Sequence, residues 1–200
     1  LSIFQAPYRL PFQRLYYLLR CGRADFFDVI EVETTTVCNR KCVYCPNTNF
    51  PRGSHLMEEK VFKKIVDDLA ELNYSGRFHP HWYGEPLTDK RLPKLVKYSR
   101  QKLPKAKIVI YTNGDLISKE VFYKLLESGV DKFNIALHSG QTKKFKSFFE
   151  SLPKKDSSKI EIIFEAKPKQ KIGNRAGLVS FKESNAKSKK NCYFATHYFV

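Results

Sequence analysis

At 200 residues, with 42% hydrophobic and 14% aromatic content, the chain suits a single domain with a sizeable core. No apolar run is long enough to span a membrane, no secretory signal is visible, and five cysteines with three of them in one loop do not make a disulfide framework. These features argue against membrane-spanning and disulfide-stapled secreted classes, and they predict a protein of the reducing cytoplasm. The net charge of +16 gathers late in the chain, where residues 141–200 hold 14 Lys/Arg against 5 Asp/Glu. Such a face can attract nucleic acid, anionic lipid or an acidic protein. The simpler reading is a solvated lysine-rich surface, and no RNA-binding fingerprint accompanies it.

In chain order, residues Leu10 to Cys21 suggest a short basic helix with Phe12, Leu15, Tyr16, Leu18 and Leu19 buried, lying as a lid or brace across the fold or, as the alternative, on a membrane surface. A strand-like run, Val29 to Thr34, leads into the segment Cys38-Asn39-Arg40-Lys41-Cys42-Val43-Tyr44-Cys45-Pro46. Pro51-Arg52-Gly53-Ser54-His55 resembles an expression-tag scar, but it lies inside the chain and is read as native. A helix follows from about Glu58 to Leu72, with Val61, Phe62, Ile65, Val66, Leu69 and Leu72 as its apolar stripe. Next come a strand near Arg77–Trp82, a Gly84-Glu85-Pro86 turn and a helix near Leu92–Leu103. The strand Lys107–Tyr111 ends in the turn Thr112-Asn113-Gly114. Ser118 and Gly129 bracket another helix as N-cap and C-terminal stop. A strand Lys132–Leu137, a helix capped by Thr142 and stopped before Pro153, and a fifth strand Lys159–Glu165 complete the pattern. Alternation of this kind predicts a parallel α/β sheet with right-handed crossovers and ligands at the C-terminal strand ends.

The chemistry is concentrated at Cys38, Cys42 and Cys45. Three soft thiolates within eight residues select an iron–sulfur cluster or zinc. A four-iron cluster with three protein ligands keeps one iron open for a substrate or cofactor. A zinc site would recruit His55 or Cys192 as its fourth ligand. The CxxxCxxC spacing, with Tyr44 before the last cysteine, resembles the radical S-adenosylmethionine (SAM) enzymes. The resemblance covers roughly residues 28 to 200 and implies a 4Fe–4S cluster on Cys38, Cys42 and Cys45. It also implies SAM chelated to the open iron, and reductive cleavage of SAM to methionine and a 5′-deoxyadenosyl radical that abstracts hydrogen from a substrate.

Further motifs extend the resemblance. Gly84-Glu85-Pro86 is similar to the family's Gly-Gly-Glu-Pro motif, which implies contacts of Gly84 and Glu85 with the SAM ammonium group, although Tyr83 replaces the first glycine. Thr112 and Asn113 resemble the family's third-strand turn, which lines the SAM or substrate pocket. On the fourth strand Ala136 stands where many relatives carry a SAM-contacting serine, and Ser139, Asn134 or His138 could take over that contact. His79 and His81 share one strand face, but no third metal ligand accompanies them. Gly173-Asn174-Arg175-Ala176-Gly177 resembles a motif of SPASM-type members with auxiliary clusters, implying an Arg175 contact with the SAM carboxylate. Cys192 resembles the first cysteine of a SPASM or twitch segment whose other cysteines are absent, and the opening Leu1 is not a methionine.

The resemblance implies a partial (β/α)6 barrel, open on one side, of which this chain supplies five clear strands, and divides the chain into a helical extension over 1–27, a radical SAM core over 28–180 and an incomplete SPASM/twitch-like segment over 181–200. The expected partners are a peptide, protein or small-molecule substrate and an external electron donor such as flavodoxin or ferredoxin. The competing expectation is a non-catalytic iron–sulfur or zinc module that binds nucleic acid through its basic face.

Overall fold

The computed structural model describes residues 27–42, 45–50, 52–137 and 142–164, together with Phe12, Leu15, Tyr16, Leu18 and Leu19. Five strands form one sheet: β1 (Val29–Glu31), β2 (Arg77–His79), β3 (Lys107–Thr112), β4 (Lys132–Leu137) and β5 (Ile160–Phe164). Their spatial order is their sequence order, and every pairing is parallel. The helices between them are α1 (Pro46–Asn49), α2 (Glu59–Glu71), α3 (Leu92–Lys102), α4 (Lys119–Ser128), α5 (Thr142–Glu150) and α6 (Lys154–Ser157). Among the described residues the sheet is open, with β1 and β5 at its edges. Among the described residues, no helix is long and apolar enough to cross a membrane.

Alternation along the strands sorts side chains onto two faces. Phe78, Ile108, Ile110, Phe133 and Ile135 are fully buried against the helices. One cluster joins Phe78 to Phe62, Val66 and Leu69 of α2, and another joins β3 and β4 to Phe122 and Leu125 of α4. The stripe expected on α2 is narrower than its apolar pattern, since Val61 stays 43% exposed. The opposite face of the sheet carries Glu31, His79, Tyr111, Asn134 and Glu161 alongside Val109, Ala136 and Ile163, so it is mixed polar and apolar.

The caps of α4 form as expected. Ser118 accepts a hydrogen bond from the Val121 N–H, and Gly129 ends the helix at φ 108°, a conformation that favours glycine. Two expectations are corrected. β1 stops at Glu31, short of the expected Thr34: the Val32 N–H still donates to the His79 carbonyl, and beyond it the Glu33 carboxylate accepts from the N–H groups of Tyr83 and Gly84. The N-terminal residues Phe12, Leu15, Tyr16, Leu18 and Leu19 are helical, but each keeps about half or more of its surface exposed instead of being buried.

Candidate active site

The cysteine segment hangs from the C-terminal end of β1. Cys38 Sγ accepts from the Arg40 N–H at 3.4 Å, and the Cys45 N–H donates to the Cys42 carbonyl at 2.9 Å. Pro46 then opens α1, where its missing N–H costs nothing. All three cysteines are half-buried and in no disulfide. Burial pushes the Cys38 thiol up, and the charges of Glu85, Cys42 and Cys45 push it in the same direction. Among the described residues, no three His, Cys, Asp or Glu side chains converge on a point where a single metal ion would sit. A four-iron cluster needs a different arrangement: three thiolates of one loop spread around a body much larger than an ion. The donor set, its single-loop origin and its partial exposure fit that group.

Two ion pairs hold this segment. The Arg40 guanidinium grips Asp115 with both arms, at 2.5 and 2.8 Å. Asn39 joins the same carboxylate at 2.9 Å, and the Asn113 amide donates to the Asn39 side-chain oxygen at 2.8 Å. The cysteine loop is thereby stitched to the turn that ends β3. On its other flank Arg52 grips Glu33, at 2.5 and 2.9 Å, and also donates to Asn47. Burial raises the Glu33 carboxyl, but the hydrogen bonds from Arg52, Gly84 and Tyr83 outweigh it and leave the group below the usual carboxylate range.

The Gly84-Glu85 loop locks the two sides together. A Cβ built on Gly84 would stand 1.9 Å from the Thr35 carbonyl oxygen, so the close approach that requires glycine here is made by this chain's own backbone. Glu85 is 3% exposed. Its carboxylate accepts from the Thr112 hydroxyl at 2.6 Å, the Asn113 N–H at 2.8 Å and the Leu87 N–H at 3.1 Å. Burial pushes this carboxyl up while those three donors pull it back. Glu85 is therefore the buttress of the β3 turn.

Inside the sheet's concave face, His81 stacks on Tyr111 with ring centroids 4.9 Å apart, and His79 packs on the same ring at 4.8 Å. A cavity of about 430 Å³ opens toward the N-terminal strand ends, bounded inwardly by Tyr111 and Asn134.

The structure thus brings Gly84, Glu85, Thr112 and Asn113 together beside Cys38, Cys42 and Cys45. Tyr44, His138, Ser139 and Arg175 lie outside the described residues, as does Cys192. Sequence reasoning missed Glu33, Arg40, Arg52 and Asp115. Arg40 and Asp115 each sit within two residues of a recognised motif, which is the one local signal that could have marked them.

A sequence model of the Radical SAM superfamily matches residues 32–166. The S-adenosyl-L-methionine-dependent 2-deoxy-scyllo-inosamine dehydrogenase of Niallia circulans is 32% identical over 167 residues, covering 83% of this chain and 66% of the relative. A GTP 3′,8-cyclase of Chlorobaculum tepidum is 27% identical over 133 residues, covering 64% of this chain and 37% of the cyclase. The chain therefore spans just under two thirds of the first relative and well under half of the second. The crystal structure of BtrN in complex with AdoMet and 2-DOIA superposes with a TM-score of 0.70 at 32% identity, over 78% of this chain and 63% of BtrN. SuiB of Streptococcus suis, at 20% identity and a TM-score of 0.52, shares the fold. Members of the superfamily bind a 4Fe–4S cluster and SAM, and the competing idea of a non-catalytic module gives way to this assignment. With the matched segment spanning the cysteine loop and all four remaining strands, the chain belongs to the radical SAM superfamily.

Proposed function

We propose that this chain cleaves SAM at a cluster held by Cys38, Cys42 and Cys45 and removes hydrogen from a small-molecule substrate lodged in the concave face of the sheet. The observation that carries this reading is the single hydrogen-bonded unit formed by the cysteine loop, the Gly84-Glu85 loop and the Thr112-Asn113 turn. A bound cluster supplies the electron that splits SAM. The chain's own residues bind and orient. Cys38, Cys42 and Cys45 hold the iron. Gly84, Thr112 and Asn113 border the place for SAM, and Glu85 acts there by fixing Thr112 and Asn113. Tyr44, His138, Ser139 and Arg175 complete the expected SAM contacts. A small substrate is favoured over a peptide or protein by the 32% identity to the inosamine dehydrogenase. An external donor such as flavodoxin or ferredoxin delivers the electron.

The test is anaerobic reconstitution with iron and sulfide, followed by dithionite and SAM. The expected result is 5′-deoxyadenosine and methionine in equal amounts. A preparation holding a full cluster that forms no 5′-deoxyadenosine sinks the proposal.

The Arg40–Asp115 pair should matter to how firmly the cluster is kept. Both side chains are partly buried and the contact is bidentate, a geometry stronger than an exposed pair. Partners behind metal ligands commonly change metal affinity by 10- to 100-fold, so Asp115→Asn should speed iron release to a chelator by about 10-fold. Unchanged release kinetics would mean that the backbone alone sets the loop.

A further inference from the structure

The N-terminal ends of the strands, opposite the cysteine loop, hold a basic cavity of about 430 Å³ that the proposed chemistry does not use. Arg77, Lys107 and Lys132 stand at the first positions of β2, β3 and β4, and all three line it. Their side chains share the concave face, because Phe78, Ile108 and Phe133, the next residue on each strand, are buried against the helices. Arg77 and Lys107 are direct partners in the β2–β3 register. Lys132 lies beside Val109, two positions further along the same face of β3. Neighbouring strands run about 4.8 Å apart, so like charges in this register repel. Lys107 to Thr112 spans about 16 Å along β3, which separates these cations from the turn beside the cysteine loop.

Two carboxylates answer the three cations. Arg77 pairs with Asp28 at 2.7 Å, and Lys132 pairs with Glu161. Both carboxylate side chains are 54% exposed, so these pairs are open to solvent and weakly held. The Arg77 guanidinium gives one N–H to Asp28 and retains donors for a second anion. Glu31, the next carboxylate on this face, lies against His79 at 3.4 Å and does not line the cavity. Among the described residues, Lys107 has no carboxylate partner. Val109 and Ile163 give the cavity an apolar wall, and Tyr111 and Asn134 close its inner end. Lysines solvated on a convex surface would have neither the wall nor the volume.

We infer that this cavity is a second binding site, remote from the cysteine loop, for a small molecule with a phosphate group on an apolar or aromatic body. The phosphate is held by Arg77, Lys107 and Lys132, and the body lies against Val109 and Tyr111. A phosphate suits these cations because its oxygens reach the guanidinium fork and the neighbouring ammonium groups at once. The volume is in the range of small-molecule sites.

The experiment is calorimetric titration of the anaerobically reconstituted protein, at low ionic strength, with phenyl phosphate and with phenol, which has the ring and lacks the anion. Phenyl phosphate should bind at a single site, phenol should not, and added salt should weaken the binding. Lys107→Met removes the cation without a carboxylate partner and keeps an apolar stem, so affinity should fall by about 10-fold. Lys107→Arg should recover most of that loss. Lys60→Met deletes a cation on α2 whose side chain is 80% exposed, and it should leave the affinity unchanged. This control is needed because a chain of net charge +16 attracts anions without any site. Lys107 and Lys60 are both exposed, so the folds should survive, and equal melting temperatures check this. Saturating SAM should leave the phenyl phosphate isotherm in place. Four results each overturn the inference: no saturable binding to the unaltered protein, equal affinity for Lys107→Met, an equal loss in Lys60→Met, or displacement by SAM. SAM cleavage plays no part in the readout, so this site and the proposed function fail independently.

Discussion

Cys42→Ala should abolish cluster assembly: iron should fall from about four atoms per chain in the reconstituted protein to a small fraction of one. The expectation follows from the position of Cys42 in the loop. Its carbonyl accepts the Cys45 N–H, so it forms the hinge between the first and last thiols, and no other described cysteine can replace it. Two remaining thiolates leave a second iron without a protein ligand, and exposed cluster edges lose iron to solvent. The fold itself should survive, because the cysteines are half-buried and lie outside both apolar clusters. The melting temperature of the metal-free variant should therefore match that of the metal-free parent. Iron and sulfide assays with the visible absorption spectrum provide the check. A variant that keeps the parent's full iron content, or a parent that carries stoichiometric zinc, would remove the cysteine loop from the proposed mechanism.

Much of the scaffold was legible because its signals are local. Ser118 and Gly129 mark the ends of α4 by their own chemistry, and the apolar spacing of Phe62, Val66 and Leu69 sets the buried face of α2. The strands announce themselves by β-branched and aromatic runs, and the spatial order equals the chain order, as expected where successive strand–helix units lie side by side. The shortest elements escaped. α1 is a single turn after Cys45, and α6 a single turn after Pro153, each too brief to show a period. The site was legible in its residues and not in its wiring. Glu85 reads as a free carboxylate beside a turn. Its partners Thr112 and Asn113 stand 27 and 28 positions away, and only the meeting of β2 with β3 reveals that the carboxylate is consumed inside the protein. Arg40 and Asp115 are 75 positions apart, so no local pattern could pair them. The motif at Gly84 implies a close approach of ligand to backbone, and it does not disclose that the Thr35 carbonyl also packs against this glycine.

That neighbour sets the cost of Gly84→Ala, which should be among the most damaging single-methyl additions available in the chain. The new Cβ would lie 1.9 Å from the Thr35 oxygen and 2.9 Å from its carbonyl carbon, and both obstacles are backbone that no rotamer change can move. The Gly84 loop and the segment after β1 must part by roughly an ångström, an overpacking strain of about 3 kcal/mol. Parting them also loosens the Gly84 N–H to Glu33 contact at 2.8 Å and the Glu85 N–H to Val37 carbonyl contact at 2.8 Å. For a domain of this size a loss of that magnitude lowers the melting temperature by roughly 6–12 °C. Because Val37 directly precedes Cys38, the same displacement should reduce iron uptake on reconstitution, which a stability defect elsewhere in the sheet would not do. Thermal melts and iron assays on the same preparation separate the two effects. A melting shift below about 2 °C with normal iron content would mean that the two loops yield to each other at little cost, and that the hydrogen bonds of Glu33 and Glu85, rather than this backbone contact, hold the site together.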